Sequence, residues 1–333
     1  MKFSRSLILI CFCLLSSGLG RGTLRADCVT ARPQIVAWWR AEGNATDSAG
    51  TDNGTLQNGA SFGVGEVGQA FNFDGADDYI QLNNAAQNPF PASGFTYECW
   101  IRPNAQSASR ATLISNHQTD GNWWNGISLL NQSVEVTLQN GSTGGWVAWY
   151  STSALPINQF SHLAVAYHYS GVASNDLQIY FDGVTQVVTG TVIAGDYASG
   201  FAPGYNANDP RGLVLGRTQE DSPRGYFGGR LDELTFYDRV LSASEIQSIF
   251  NAGSTGKCPP PGAPSLTIFL TTTNTAVVLW PSPSTGFGLQ QNTNSLSSVN
   301  WSNVTTTPTD NGAFKFIIVN PPIGNRFYRL FKP

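Results

Sequence analysis

The sequence predicts an all-β protein: a β-sandwich followed by a smaller all-β region. Three observations predict it. The first is composition. The 333 residues include 35 Gly, 18 Pro, 19 Phe, 11 Tyr and 9 Trp, and only 12% are charged. Abundant turn formers and aromatics with few charges favour many short strands over amphipathic helices. The second is residues 68–82, GQAFNFDGADDYIQL. Phe71 and Phe73 alternate with polar residues, Asp74-Gly75 turns the chain, and Ile80 and Leu82 then share one face. This pattern predicts a β-hairpin with an acidic tip. The third is Asp182-Gly183, set between the patterned runs 177–181 and 184–189, the strongest hairpin signal in the chain.

The chain opens with a targeting signal. Lys2 and Arg5 precede an apolar run, residues 7–15, that is short for a bilayer span, and small residues follow. The expectation is a signal peptide over residues 1–26, with a retained anchor as the alternative. Removing it takes away Lys2, Arg5, Arg21 and Arg25, which leaves 14 basic against 22 acidic residues, a formal charge of −8. No basic patch invites nucleic acid. A secreted or cell-surface protein is expected, with no transmembrane segment beyond the signal peptide.

Cysteine usage agrees with export. Cys11 and Cys13 fall in the signal, leaving Cys28, Cys99 and Cys258. Cys28 and Cys258 bracket the large region and predict a disulfide tying its ends. A closed loop of that length contributes ~4–5 kcal/mol in the chain-entropy model. Cys99 shares a strand face with Phe95, Tyr97 and Ile101 and reads as a small buried hydrophobe.

The remaining elements follow in order. Residues 35–40 (IVAWWR) form the first strand, ahead of a polar loop, 41–50, and the turn signal Asn53-Gly54. Residues 95–101 are a strongly patterned strand. Residues 111–115 form another, followed by a loop, 117–126, with Trp123 and Trp124 side by side. Residues 127–130 and 134–138 predict a hairpin, and 146–150 one more strand. Within 160–169, Leu163, Val165 and Tyr167 take one face and His162, Ala164 and Ala166 the other. Residues 213–216 and 228–237 close the large region. Ser242 and Glu245 then have capping-box spacing, and Ile246, Ile249 and Phe250 give a short helix its apolar side. Residues 257–264 (KCPPPGAP) read as a stiff linker. Beyond it Leu266, Ile268 and Leu270 alternate, and 276–280, 287–290, 314–319 and 326–331 are further strands.

Several of these segments point to one family. VAWWRAEGNATDSAGTDNGTL, GQAFNFDGADDYIQL, FTYECWIRP, FSHLAVAYH, LQIYFDGV and GGRLDELTFYDRVLSASEIQSIFNAG occur in that order. Together they resemble the laminin-G-like jelly-roll domain of the concanavalin A-like lectin and glucanase superfamily, over residues 34–255. The resemblance implies a two-sheet antiparallel jelly-roll sandwich with first and last strands adjacent, which supports the Cys28–Cys258 pairing. VVLWPSP and NRFYRL in the tail are similar to strands of a fibronectin type III or immunoglobulin-like module. The implied organisation is a signal peptide (1–26), a jelly roll (27–256), a Pro-rich linker (257–264) and a small β domain (265–333).

Three chemistries are in view. The resemblance implies one structural Ca²⁺ near the join of the first and last strands, held by Asp47, Asn53 and Asp232, with Glu233 as an alternative to Asp232. Against it, Asp47 and Asn53 can cap turns and Asp232 can pair with an arginine. Asp74, Asp77 and Asp78 form a second acidic group, which turn chemistry also explains. For glycan binding, Trp123, Trp124 and Trp146 offer rings on which a sugar stacks, although most rings in a sandwich are core, as expected for Trp149. Glycoside hydrolysis lacks the alternating Glu-x-Asp-x-Glu strand of the superfamily's glucanases. The adjacent Asp232 and Glu233 would face opposite sides of a strand. His117, His162 and His168 have no metal-ligand spacing, and no P-loop or dinucleotide fingerprint occurs. The expected function is a non-enzymatic recognition or adhesion module for extracellular polysaccharide or a surface protein. The alternatives are a glycan-active hydrolase and a structural envelope protein.

Overall fold

The structure, a computed structural model, describes residues 28–331 except 30, 32, 84–89, 106–109, 118–123, 142–144, 196, 198–199, 205–211, 219–224, 259–263, 265, 272–273, 285 and 294–300. The expected signal peptide lies outside the described residues. Up to residue 237 the described chain runs through β1 (Ile35–Trp39), β2 (Gly54–Gln57), β3 (Ser61–Val64), β4 (Gln69–Asp74), β5 (Tyr79–Leu82), β6 (Phe95–Pro103), β7 (Arg110–His117) and β8 (Trp124–Leu130). It continues through β9 (Ser133–Gln139), β10 (Trp146–Ala154), β11 (Ser161–Tyr167), β12 (Leu177–Phe181), β13 (Val184–Thr185), β14 (Val188–Ala194), β15 (Leu213–Leu215) and β16 (Gly228–Tyr237).

These strands form two eight-stranded antiparallel sheets. The first has the order β13-β12-β11-β6-β16-β4-β3, with β1 also paired to β16; the second has the order β14-β10-β9-β8-β7-β15-β5-β2. Their facing sides make one core, in which Trp39, Phe71, Phe73, Tyr97, Leu163, Val165 and Phe236 meet Ile80, Ile114, Val136 and Trp149. Alternation along each strand puts these apolar residues inward. Cys99 is buried in the same core as a free thiol.

The predicted hairpin of residues 68–82 is not one. Phe71 and Phe73 lie on β4 of the first sheet, while Ile80 and Leu82 lie on β5 of the second. The acidic tip carries the chain from one sheet to the other. Both segments present an apolar face to the same core, so alternation predicts the buried side but not the pairing partner. Asp182-Gly183 does turn a hairpin, β12 to β13, with φ of 52° and 77° as a type I′ turn requires.

First and last strands are adjacent: Trp38 pairs with Thr235 and Trp39 with Leu234. Cys28 and Cys258 form a disulfide with Cα atoms 4.9 Å apart, and Val29 bridges to Lys257. The helix α1 (Ala243–Ala252) starts at the predicted capping box, with Arg239 clamping Glu245 as well. Ile246 and Ile249 pack on Ala164, Ala166, Tyr180 and Tyr237, so α1 covers part of the outer face of the first sheet. Lys257 is buried beside it, so the predicted linker starts inside the packed structure. Among the described residues, no helix is long and apolar enough to cross a membrane.

The tail contains β17 (Thr267–Leu270), β18 (Ala276–Pro281), β19 (Gly288–Asn292), β20 (Ser302–Asn303), β21 (Thr309–Asp310), β22 (Phe314–Val319) and β23 (Phe327–Phe331). They make a four-stranded sheet, β17-β18-β22-β21, and a three-stranded one, β20-β19-β23. Val278, Trp280, Leu289 and Ile317 form a small core. Ile268 and Leu270 alternate as expected, yet both are exposed, because β17 is an edge strand that contributes neither to this core. Arg329, stacked on Trp301, reaches the Gly43 carbonyl at 3.4 Å.

Candidate functional site

The outer face of the second sheet is polar. On β9, Val134, Val136 and Leu138 point to the core, so Glu135 and Thr137 point away. Residues paired across antiparallel strands share a face. Pairing therefore lines up Thr112 on β7, Ser128 on β8, Glu135 on β9 and Tyr150 on β10 in one row. Thr112 and Ser128 hydroxyls lie 3.0 Å apart. The Arg110 guanidinium grips the Glu135 carboxylate with two hydrogen bonds, 2.7 and 2.8 Å. Burial and then the Glu135 carboxylate, to which the phenol hydrogen-bonds, push the Tyr150 hydroxyl above its ordinary pKa.

This floor is itself buried. The Gly225 carbonyl accepts from the Thr112 amide at 2.7 Å, and the Gly204 carbonyl accepts from Asn125 Nδ2. Arg110, Tyr150 and Trp146, each half-buried, reach solvent here, and Thr189, paired with Tyr150 on β14, is exposed. Of the rings singled out from sequence, Trp146 lies on this sheet at the rim. Trp124 is at the start of β8 by its backbone, its side chain outside the described residues; Trp123 lies outside them entirely. Trp149 is core, with its indole N–H on the Ala173 carbonyl. Arg110 and Glu135 were not singled out from sequence. The signal was the alternation of VEVTLQ, whose polar positions lie on the face that the apolar ones leave.

A second cluster lies on the outer face of the first sheet, under α1 and residue 257. Glu98 sits mid-strand in β6, pointing away from the core. Lys257 Nζ lies 2.8 Å from Glu98 Oε1 and 3.1 Å from Glu233 Oε2, and 5.1 Å from the centre of the Trp38 ring. His162 Nε2 lies 3.1 Å from Glu98 Oε2. Trp38 donates its indole N–H to Glu233 Oε2 at 3.2 Å. The expectation that Asp232 and Glu233 face opposite sides is corrected here. The register of β16 against β6 shifts between Asp232 and Thr235, and Glu233 has φ of 55°. This bulge turns both carboxylates outward. Burial tends to raise the Glu98 carboxyl, but Lys257 and His162 outweigh it and hold the group at about 2. Burial, then Glu233, pushes Asp232 well above its ordinary range.

The implied calcium ligands are not brought together. Asp47 accepts amide N–H groups from Trp38 and Ala49 on Oδ1 and from Asp52 on Oδ2, and Asn53 Oδ1 accepts from Asp47. Both side chains cap the turns of their own loop. Asp232 Oδ2 accepts from the Val67 amide at 2.8 Å, and among the described residues it pairs with no arginine. Strand β1 lies between them, since Trp39 pairs with Leu234 on one edge and bridges to Asp47 on the other. The three residues do not fit one cation as a set. Asp74, Asp77 and Asp78 do lie together, their carboxylate oxygens within 4.8 Å of one another, an arrangement able to hold a metal ion. They also serve the turn: Asp74 Oδ1 accepts from Ala76, and Asp78 Oδ2 accepts from Asp74.

Glu42 gives a test of the first sheet's electrostatics. Burial raises its carboxyl to about 7, against the opposing pull of Arg40 and with a push from Glu233. The folded chain holds this proton more tightly than the unfolded chain does. Its contribution to stability therefore falls as pH rises from about 4.5 to about 7. Glu42→Gln is expected to raise the melting temperature more at pH 8 than at pH 5. An equal shift at both would contradict this account of the site.

The profile of the concanavalin A-like lectin/glucanases superfamily matches residues 74–247, more than half of the chain. The chain belongs to this superfamily. The match spans β5 to α1, and so includes the polar face of the concanavalin A-like sandwich. Among curated proteins none matches the chain. Among solved structures, the chain is similar to the binding domain of Paraclostridial Mosquitocidal Protein 1, with 14% identity and a TM-score of 0.48 over 81% of this chain and 67% of that one. It is similar to the botulinum neurotoxin serotype D binding domain, with 11% identity and a TM-score of 0.48 over 84% and 81%. It is also similar to Trypanosoma rangeli sialidase, with 15% identity and a TM-score of 0.45 over 67% of this chain and 34% of that one.

Proposed function

We propose that the protein is an exported, non-enzymatic recognition module that binds extracellular polysaccharide through the polar face of its second sheet. One observation carries this reading: the bidentate Arg110–Glu135 pair and Tyr150 stand on a floor of strand-borne hydroxyls, with Trp146 at the rim. Rigid strands hold donors, acceptors and rings ready-made, which is how a site for a polyhydroxylated ligand gains specificity at low ordering cost. Glycoside hydrolysis needs two carboxyl groups across the bond to be cleaved. In the described row the one carboxylate, Glu135, is committed to Arg110. The Glu98, Asp232 and Glu233 group is packed under Lys257.

In this reading residues 1–26 direct export, and residues 265–333 form a fibronectin- or immunoglobulin-like module that spaces or anchors the jelly roll. The one calcium ion of the family moves from the Asp47, Asn53 and Asp232 set to Asp74, Asp77 and Asp78. A glycan array probed with the mature protein, with calcium and with chelator, tests the whole. A polysaccharide hit is expected, weakened at least tenfold in Tyr150→Ala and in Trp146→Ala, a loss of about 1.4 kcal/mol or more. The Trp123→Ala/Trp124→Ala variant tests the adjacent loop. A blank array with folded protein would move the reading to a protein partner or a structural role.

A further inference from the structure

A cavity of about 480 Å³ lies on the opposite sheet from the polar face, and it has a different chemistry. Trp100 of β6, Phe160 just before β11 and Phe250 near the end of α1 line it, together with Glu66, Asp182 and Asn251. The volume is within the range of small-ligand sites. Three elements distant in sequence bring the rings together. Trp100 and Phe250 have centroids 5.8 Å apart at 37°. Trp100 is pinned from the sheet side by His162, at 5.3 Å between rings. Phe160 and Phe250 remain half-exposed, so their surfaces are not consumed by the core.

The charged side chains that line the cavity, Glu66 and Asp182, are both acidic. Asp182 uses Oδ1 to accept from the His162 amide at 2.8 Å, which fixes the carboxylate at the hairpin tip. Glu66 makes no hydrogen bond or ion pair among the described residues. No basic side chain lines the cavity. Of the cations near this face, Lys257 is committed to Glu98 and Glu233, Arg239 to Glu245, and Arg102 donates to the Asn158 carbonyl at 3.0 Å. Aromatic faces carry partial negative charge and attract a cation placed over them. Carboxylates beside the rings add to that attraction and repel anions. A neutral sugar would use the rings and leave the carboxylates' charge without a counterpart.

We propose that this cavity is a binding site for an alkylated ammonium group, held against Trp100, Phe160 and Phe250 and balanced by Glu66 and Asp182. A weakly hydrated, methylated cation fits better than a primary ammonium, because it gives up less water on entering an aromatic-lined site. The site stands apart from the polar face, so either can fail alone.

The test is a titration of the full mature protein, followed by tryptophan fluorescence. The probes are choline, Nε-trimethyl-lysine, the neutral choline isostere 3,3-dimethylbutan-1-ol, and methyl glucoside. Choline or trimethyl-lysine is expected to bind about tenfold tighter than the isostere. Which of the two binds more tightly distinguishes a headgroup from a protein side chain. Glu66→Gln should weaken the cations and leave the isostere unchanged. Phe250→Leu, checked by circular dichroism, should lose the cations while staying folded. Equal affinity for choline and its neutral isostere, or no binding of either cation by folded protein, would overturn the proposal.

Discussion

Replacing Lys257 with methionine is expected to lower the unfolding free energy by about 3–5 kcal/mol, read from urea unfolding. Lys257 is the cation between Glu98 and Glu233, and all three side chains are buried. Removing it leaves Glu98 with His162 at 3.1 Å and Glu233 with Arg40 at 3.6 Å, and takes away the one cation that bridges the two buried carboxylates. Part of the loss should return in Lys257→Met/Glu98→Gln, because one of the stranded charges is then gone. Strictly additive losses in the double variant would mean that the two groups do not interact. The pH dependence has a defined sign. Glu98 is held at about 2 in the folded chain, below its ordinary 4.5. Its stabilisation is therefore complete above about 4.5 and is lost as pH falls toward about 2. Burial alone would depress Lys257, but Glu98 and Glu233 raise it above its ordinary 10.5. Its contribution is present below that value and is lost only as pH rises through the folded one. Acid unfolding of the wild type should show a drop below pH 4.5 that is diminished in Lys257→Met.

Removing the Cys28–Cys258 disulfide is expected to lower the unfolding free energy by up to about 4–5 kcal/mol, through the freedom returned to the unfolded chain. The bond joins residues 230 apart in sequence, so it closes nearly the whole large sandwich into one loop. It also holds the segment that carries Lys257, next to Cys258. Cys28→Ser/Cys258→Ser, or reduction in mild denaturant, should lower the urea midpoint while far-UV circular dichroism at zero urea stays that of an all-β protein. An unchanged midpoint would show that Val29, Lys257 and their contacts close the ends without the bond.

The buried faces of the strands were legible because alternation reports directly on which side meets the core. Phe71, Phe73, Ile80 and Leu82 are all buried as expected. Pairing was not legible, because β4 and β5 serve one core from two sheets, and a run of alternating residues carries no label for its neighbour. The capping box at Ser242 and Glu245 was legible because it is local, three residues closing on themselves. The ionic centre was not. Glu98 is a lone acidic residue in the patterned strand 95–101, and Lys257 opens the segment that reads as a proline linker. What joins them is a contact across 159 residues and a bulge at Asp232 and Glu233 that defeats strict alternation. The implied calcium set is a related case. Asp47 and Asn53 have the right ligand chemistry, but their own loop offers amides that use the same oxygens first. On the polar face, Trp146 was visible as a ring in a strand, whereas Arg110 and Glu135 acquire meaning only once β7 to β9 are paired.

The central claim is that the partner sits on the polar face of the second sheet. Isothermal titration of an array-positive oligosaccharide into wild type, Tyr150→Ala and Phe250→Leu tests it most directly. The account predicts that Tyr150→Ala loses at least tenfold in affinity and that Phe250→Leu binds as wild type does. The reverse pattern, with binding lost in Phe250→Leu and kept in Tyr150→Ala, would contradict it.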